Sequence, residues 1–310
     1  MKKNIVIKLL VLLFSGYIAC AQAPKPDSVT VPLSDTLCFK YNFKQGDTLD
    51  YIGISFDSLQ IDFGDNIKKH RIERIIIACD SVLPNGHFLL SHSLIEILAK
   101  ETQGDKKPIK REESQWLDRV VKIELDSLGR RYRIFLDDST EGAVSPGGAF
   151  GPFILIEYGE ACRLLNESWI VKSDLGLAEN GIPIPLVTQT SFFRAKERKD
   201  TLGYKCNSGE YIFTGQGSFK AITGKDTMNL HSIMNGFGKF ENHPKRGFPI
   251  HYFATIEQKL KINMSGDVEK PGKHFVRADY TLRRFVPGTD KQMKRTLPNA
   301  KEQKTKNRWK

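Results

Sequence analysis

The segment FPIHYFATIEQKLKI, residues 248–262, alternates apolar and polar side chains with a period of two. Its even positions are Phe248, Ile250, Tyr252, Ala254, Ile256, Gln258, Leu260 and Ile262. The alternation returns after a turn with Gly266 and Pro271, and it then places Val276, Ala278, Tyr280 and Leu282 on one face. This period is that of a β-strand with one buried face. The segment therefore predicts two long antiparallel strands joined as a hairpin, whose apolar face the rest of the chain must cover.

Further strand signals run through the chain on both sides of a central interruption. Alternating or β-branched segments occur at residues 37–43, 52–56, 71–82, 88–98, 120–125, 132–136, 169–172, 187–195, 203–206, 210–214, 218–223 and 228–240. Turn residues separate them, at 46–47, 84–86, 126–129, 180–181, 207–209 and 224–226. Long strands twist and cannot stay flat. We therefore predict a mainly β fold, a strongly curled antiparallel sheet (a half-barrel or open barrel) of about a dozen strands.

Two segments depart from this rhythm. Residues 100–115 are rich in charge and predict a solvated loop. A glycine-rich entry at 146–152 leads into an apolar run at 153–165, which predicts one short helix. The entry lacks the Lys-Ser/Thr ending of a phosphate-binding loop, so it does not indicate nucleotide binding. Just before it, Asp137, Asp138 and Glu141 have the oxygen ligands that calcium prefers, but a solvated turn is the commoner role of such residues and is the one we favour.

The N-terminus has the pattern of an export signal. Lys2, Lys3 and Lys8 flank an apolar run at 9–14, and small residues surround Cys20. The run is too short for a membrane-spanning helix. Two fates are open: cleavage before Gln22, which we favour, or lipidation of Cys20 as the first residue of a lipoprotein.

These features divide the chain into four parts. We expect a signal peptide at 1–21, a linker at 22–36, a single sheet domain at 37–286 and a basic disordered tail at 287–310. The signal predicts an exported protein, located in the periplasm or associated with the outer membrane of a Gram-negative-type envelope. Membrane contact is then expected only through a lipid anchor or the basic tail.

The net charge of +11 is concentrated at the two ends of the chain. Residues 287–310 contribute +6 and the three lysines of the signal contribute +3, which leaves +2 for the rest. A body so close to neutral has no basic face for nucleic acid. The tail has two interpretations, a solubilising extension, which we favour, and an electrostatic arm for anionic lipid or cell-wall polymer.

Four cysteines remain beyond Cys20: Cys38, Cys79, Cys162 and Cys206. An even number in an exported protein permits disulfides, and three connectivities are open. Buried free thiols are the alternative. None of the four lies in a Cys-x-x-Cys pair, so the sequence does not indicate a redox motif or a zinc site of that type.

The sequence contains no recognised catalytic motif. Neither Gly-x-Ser-x-Gly nor His-Glu-x-x-His occurs. The seven histidines form no close pair on one strand face, and His243 and His251, which flank a short loop, are expected to have surface roles. We therefore predict a protein that is not an enzyme, with no catalytic residue, no metal site and no cofactor.

Four short motifs indicate a relationship to known proteins. They are Gln45-Gly46-Asp47, Asn166-Glu167-Ser168-Trp169, Gly236-Phe237-Gly238 and Gly247-Phe248-Pro249. In the order of these motifs, over about residues 37–286, the chain resembles the exported half-barrel proteins of the periplasmic lipoprotein-carrier and lipid-binding class. The resemblance implies a sheet around a helical plug, formed here by residues 150–165 with Phe153, Leu155 and Tyr158. It also implies an apolar ligand shielded in the concave face.

Two classes of function follow from these observations. In the first, a monomeric binding protein holds a lipid or other apolar molecule against the concave face, and Tyr252, Ile256, Tyr280 and Leu282 line the site. In the second, the same side chains fill a closed core, and the protein is a structural or interaction component of the envelope without a ligand. The sequence leaves both open.

Overall fold

The computed structural model describes residues 35–62, 64–111, 117, 119–136, 153–175, 186–223, 226–264 and 269–288. These residues form fourteen strands and no helix. None of the described segments is therefore a helix that could cross a membrane. The signal peptide, the linker up to residue 34, Cys20, the Asp137–Asp138–Glu141 group and the tail beyond residue 288 lie outside the described residues.

The strands are numbered in chain order. They are β1 (Thr36–Cys38), β2 (Thr48–Ile61), β3 (Ile67–Val82), β4 (Phe88–Gln103), β5 (Ile109–Arg111), β6 (Val120–Leu125), β7 (Arg131–Leu136), β8 (Cys162–Leu164), β9 (Ser168–Leu175), β10 (Leu186–Thr201), β11 (Tyr204–Thr223), β12 (Asp226–Asn242), β13 (Pro249–Met264) and β14 (Lys270–Val286).

Twelve of these strands form one sheet, in the order β7-β6-β4-β3-β2-β14-β13-β12-β11-β10-β9, with β5 paired to β4. All the strand pairs are antiparallel. The remaining two, β1 and β8, pair with each other. The predicted mainly β fold and its antiparallel sheet are confirmed. The sheet of the described residues is neither closed nor strongly curled, so the predicted half-barrel or open barrel is not confirmed: β7 and β9 end the strand order without pairing with each other.

The predicted hairpin of residues 248–286 is β13 and β14, which pair directly in register. Tyr252 lies opposite Tyr280 and Ile256 lies opposite Val276. From residue 250 to residue 263 of β13 the even positions are buried and the odd positions are partly or fully exposed. We call the side of the sheet that carries these even positions the buried face. Burial of each large apolar side chain on it contributes about 1.5–3 kcal/mol to folding.

Three predicted boundaries are wrong. Residues 204–223 form one strand, β11, instead of three short ones, and the predicted turn at 207–209 lies inside it. In the charged segment 100–115, residues 100–103 are the last part of β4 and residues 109–111 are β5. Charged residues fit into strands near the edge of a sheet, since their side chains can reach solvent there. Of the predicted strand 37–43, only residues 37 and 38 are strand.

Two irregular segments, residues 39–47 and 153–161, pack against the buried face, and we call them the cover. Phe39 stacks on Trp169 of β9, with ring centroids 5.4 Å apart, and Phe43 meets the edge of Phe88 of β4 at 5.4 Å. A disulfide between Cys38 and Cys162 joins the chain next to both segments. Cys79 and Cys206 are buried free thiols. The four cysteines thus form one disulfide and leave two thiols, which combines the two alternatives left open by the sequence.

The prediction of a helical plug is wrong for the described residues 153–165. Residues 153–161 have no regular secondary structure and 162–164 are β8. Ile154, Leu155 and Ile156 are buried in succession, so the segment has no solvated side, which an amphipathic helix requires. Its backbone groups bond to other elements instead, as in the 2.6 Å hydrogen bond from Phe39 N–H to Ala161 O.

Candidate functional site

The four residues predicted to line a ligand site lie on the buried face and are enclosed. Tyr252 is 1% exposed, Ile256 4%, Tyr280 2% and Leu282 4%. The hydroxyls of Tyr252 and Tyr211 are 2.8 Å apart, and the rings of Tyr252 and Tyr280 stack with centroids 6.3 Å apart. The structure therefore brings these residues together in one aromatic cluster, in contact with the rest of the core.

The residues predicted as plug belong to the cover. Leu155 and Tyr158 are buried, and Phe153 is partly buried against the core. Three hydrogen bonds join Tyr158 to other elements: its N–H donates to Leu128 O at 2.7 Å, its carbonyl accepts from Trp169 Nε1 at 2.7 Å, and its hydroxyl accepts from Asn242 Nδ2 at 2.8 Å. Leu128 is in the turn between β6 and β7, and Trp169 is in β9. Tyr158 thus connects both ends of the strand order.

Charged side chains also lie on the buried face, and one group of them is internally paired. Arg71 of β3 bonds Asp57 at 2.8 Å and Glu73 at 3.0 Å. Burial raises the pKa of Glu73, and the neighbouring Arg71 opposes that increase. Arg71 Nε and the hydroxyl of Ser55, which lies opposite it, are buried without a hydrogen-bond partner. The positive charge of Arg71 is therefore neutralised by two carboxylates on the same face.

A second group contains Arg131 of β7, Phe153 of the cover and His92 of β4, and we call it the Arg131–His92 cluster. The guanidinium carbon of Arg131 lies 4.1 Å from the centre of the Phe153 ring. The ring of His92 meets the same Phe153 ring at a centroid distance of 5.9 Å and an angle of 82°. Phe153 therefore lies in contact with both polar side chains.

The polar atoms of this cluster lack partners. His92 is 5% exposed, and neither of its ring nitrogens has a hydrogen-bond partner. Arg131 is half-buried, and its Nε is enclosed without a partner. Burial lowers the pKa of His92 to about 4, so the ring is neutral at pH 7, and burial lowers the pKa of Arg131 to about 10. Burial also raises the pKa of Glu157, an effect that the charge of Arg131 opposes.

The sequence reasoning missed this cluster, although one signal for it was present. His92 occupies the same alternating positions as Phe88, Leu90 and Leu94, so the period of two places it on the buried face. No such signal exists for Arg131. By alternation it would share a face with Arg133, but a bulge between Glu124 and Leu125 of β6 changes the pairing.

The bulge places Arg131 opposite Leu125, while Arg133 lies opposite Glu124 and bonds it at 2.9 Å. A β-bulge depends on the backbone of both strands and is not visible in residue alternation. Two arginines two positions apart thus have different environments, one against the core and the other on the solvent side.

Three other histidines contact carboxylates of other strands. His87 Nδ1 lies 2.8 Å from Glu124, His251 Nε2 lies 2.9 Å from Asp279, and His274 Nε2 lies 3.7 Å from Asp57. Among the residues that the structure describes, no group of three or more His, Cys, Asp and Glu side chains is placed to hold a metal ion.

Comparison with known proteins gives little further information. No family model matches the chain, and no curated protein matches it. Among solved structures, lipovitellin, solved in a study of its lipid–protein interactions, is similar at 11% identity and a TM-score of 0.43, over 83% of this chain and 27% of that chain. Pseudomonas aeruginosa OccK2 (OpdF) in complex with glucuronate is similar at 7% identity and a TM-score of 0.21, over 78% of this chain and 100% of that chain. Likenesses this weak carry no property over to the present chain.

Proposed function

We propose that this is a non-catalytic, exported cell-envelope protein that binds the apolar part of a ligand against the buried face of its sheet. The observation that supports this most directly is the nature of the cover. An apolar sheet face usually packs against a second sheet or a layer of helices. Here residues 39–47 and 153–161, which are irregular chain, lie on an aromatic face.

Irregular segments with few ladder hydrogen bonds open at a lower free-energy cost than strands do. Residues 153–161 are held by individual hydrogen bonds instead of a ladder: Tyr158 bonds Leu128, Trp169 and Asn242, Ile156 O accepts from the Tyr41 hydroxyl, and Ala161 O accepts from Phe39 N–H. We propose that an apolar ligand chain takes over part of the contacts that this segment makes with the buried face.

The proposed location has independent support in the cysteines. Cys38 and Cys162 form a disulfide across 124 residues of sequence. Disulfides persist in oxidising compartments and are rare in the cytosol. The bond therefore supports export, as the N-terminal signal does.

Equilibrium binding of a fluorescent apolar probe tests this function. Purified mature protein is titrated with N-phenyl-1-naphthylamine, and the bound probe is displaced with straight-chain alcohols of increasing length. We expect saturable binding at one probe per chain. Each added methylene group should strengthen displacement by about fourfold until the site is filled, because its burial is worth about 0.8 kcal/mol. Protein that keeps its β circular dichroism but shows no saturable binding would contradict the proposal.

The second candidate, an envelope scaffold without a ligand, is favoured by a different observation. Tyr252, Ile256, Tyr280 and Leu282 are enclosed by the chain's own residues at 1–4% exposure. In that case the cover is a permanent part of the core, and the loops or the tail contact other envelope components. Absence of saturable probe binding would favour this function over the first.

A further inference from the structure

We propose that the Arg131–His92 cluster binds the carboxylate of a long-chain amphiphile, such as a fatty acid, whose apolar chain lies against the buried face. This inference rests on the proposed function and names the ligand class and the polar anchor of the same site.

The charge of Arg131 is the first reason. Arg71 shows how this protein neutralises an arginine on the buried face, through Asp57 and Glu73 at 2.8 and 3.0 Å. Arg131 forms no ion pair or hydrogen bond with the residues that the structure describes: it lies over the ring of Phe153 and interacts electrostatically with Glu157, Tyr41 and Tyr252. Charges in apolar surroundings are usually paired, because an unpaired one is costly to bury. A bound anion would supply the missing partner.

The second reason is the unpartnered imidazole of His92. A buried ring with two unsatisfied nitrogens loses the hydrogen bonds that it would form with water. Phe153 contacts both His92 and Arg131. A neutral imidazole has one N–H to donate, and a planar guanidinium can donate two parallel hydrogen bonds to a carboxylate. Each of the two side chains is therefore able to donate to a carboxylate oxygen bound beside Phe153.

The charge balance favours a carboxylate over a phosphate. The cluster offers one full positive charge and one neutral donor, and Glu157 lies close enough to influence the charge of Arg131. A second negative charge on the ligand would face that carboxylate without a second cation to balance it. A monoanion therefore suits the cluster best.

The surroundings provide for an apolar chain. His92 is flanked on β4 by Leu90 and Leu94, and it lies opposite Ile77 and Val121 on the neighbouring strands. All four of these apolar side chains are buried in the same core. Tyr252, which the sequence predicted to line the ligand, is close enough to Arg131 for the two to interact electrostatically. An apolar chain attached to a carboxylate at Arg131 would thus run along the face that carries Tyr252.

The test compares three probes of equal chain length on four forms of the mature protein. The probes are hexadecanoate, hexadecanol and hexadecyl phosphate, each measured by displacement of N-phenyl-1-naphthylamine. The proteins are the wild type, Arg131→Met, His92→Leu and Arg130→Met. Arg130 is the neighbouring arginine, it is exposed, and its side chain lies over Tyr132, so its loss removes the same charge without touching the cluster.

We expect the wild type to bind hexadecanoate about 10- to 100-fold more tightly than hexadecanol, as charge-assisted hydrogen bonds would provide. Arg131→Met should abolish that preference and leave hexadecanol binding unchanged, whereas Arg130→Met should keep it. His92→Leu should reduce the preference by a smaller factor, because the arginine remains.

The alternative outcomes are distinguishable. Equal binding of hexadecanoate and hexadecanol, or a preference that survives in Arg131→Met, would overturn the carboxylate site while leaving the proposed function in place. Tightest binding of hexadecyl phosphate would overturn the choice of a monoanion. Binding of none of the three probes to folded wild-type protein would contradict the proposed function itself, and the anchor with it.

Discussion

Arg71 and Arg131 both project from strands onto the buried face, and they differ in their partners. Arg71 holds Asp57 and Glu73, while Arg131 contacts the ring of Phe153. Removing one partner of a buried ion pair leaves the other charges uncompensated, which costs far more than the pair contributes when intact. The two arginines should therefore respond in opposite ways to the same substitution.

We predict that Arg71→Met lowers the free energy of unfolding by about 3–5 kcal/mol, because two carboxylates lose their counter-ion. Arg131→Met should leave stability unchanged or raise it, since it removes an unpaired charge from partly apolar surroundings. Urea unfolding of the ligand-free proteins measures both values. Equal destabilisation by the two substitutions would show that Arg131 has a structural partner.

His92 should make stability depend on pH in a defined window. Its pKa is about 4 in the folded protein and about 6.5 in the unfolded chain, so the unfolded state binds the proton first. Stability from this group is present above pH 6.5, declines as the pH falls, and is lost by about pH 4, by an amount on the order of 3 kcal/mol. The measurement is the difference between wild type and His92→Leu in urea unfolding from pH 7.5 to 4. Parallel curves for the two proteins would contradict the burial of a neutral imidazole.

Two isoleucines on adjacent strands test which face is buried. Ile256 is 4% exposed and Ile233 is 63% exposed. We predict that Ile256→Asp prevents folding, because a carboxylate in the core is not tolerated without a partner, whereas Ile233→Asp changes stability by less than about 0.5 kcal/mol. Circular dichroism and urea unfolding report the outcome. A folded Ile256→Asp protein would mean that this position faces water or a cavity.

At the scale of elements, the cover is the part of the fold that depends on long-range contacts. Its segments 39–47 and 153–161 are distant in sequence and are linked through the disulfide beside them. A disulfide that closes a loop of about 120 residues lowers the conformational entropy of the unfolded chain. If that were its only effect, it would stabilise the folded protein by on the order of 5 kcal/mol.

The Cys38→Ser, Cys162→Ser double variant should therefore lose about 2–5 kcal/mol of stability. The strands of the large sheet should be retained, because neither cysteine belongs to that sheet. Thermal unfolding with and without dithiothreitol is the measurement: the reductant should lower the midpoint of the wild type and leave that of the double variant unchanged. A wild type insensitive to reductant would show that the bond does not contribute.

Half-buried strands are easier to predict from the sequence than fully buried segments or bulges. Strands with one solvated face, such as β13 and β6, were predicted closely because alternation reports directly on a half-buried strand. The apolar run at 153–165 predicts a helix wrongly, because residues 154–156 are buried in succession and such a segment has no hydrophobic periodicity. The anchor residue Arg131 could not be assigned to the buried face, since a bulge in the pairing of β6 with β7 reverses its side.

At the scale of the whole molecule, an open antiparallel sheet presents one continuous face from β7 to β9. The chain itself covers the part of that face that carries the aromatic cluster. The part formed by β4, β6 and β7 carries His92 and Arg131, which lack hydrogen-bond partners. In the account proposed above, a bound amphiphile places its carboxylate at these two groups and its apolar chain on the face beside them.

The measurement that tests this account most directly is native mass spectrometry of the mature protein isolated from its exporting host, followed by solvent extraction and identification of what it carries. We predict a stoichiometric adduct that is released by organic solvent and identified as a long-chain amphiphile with a carboxylate. The measured mass also reports any lipid on Cys20. A bare protein mass, from a sample that also fails to take up hexadecanoate or hexadecanol, would contradict the account and favour an envelope scaffold with a permanently filled core.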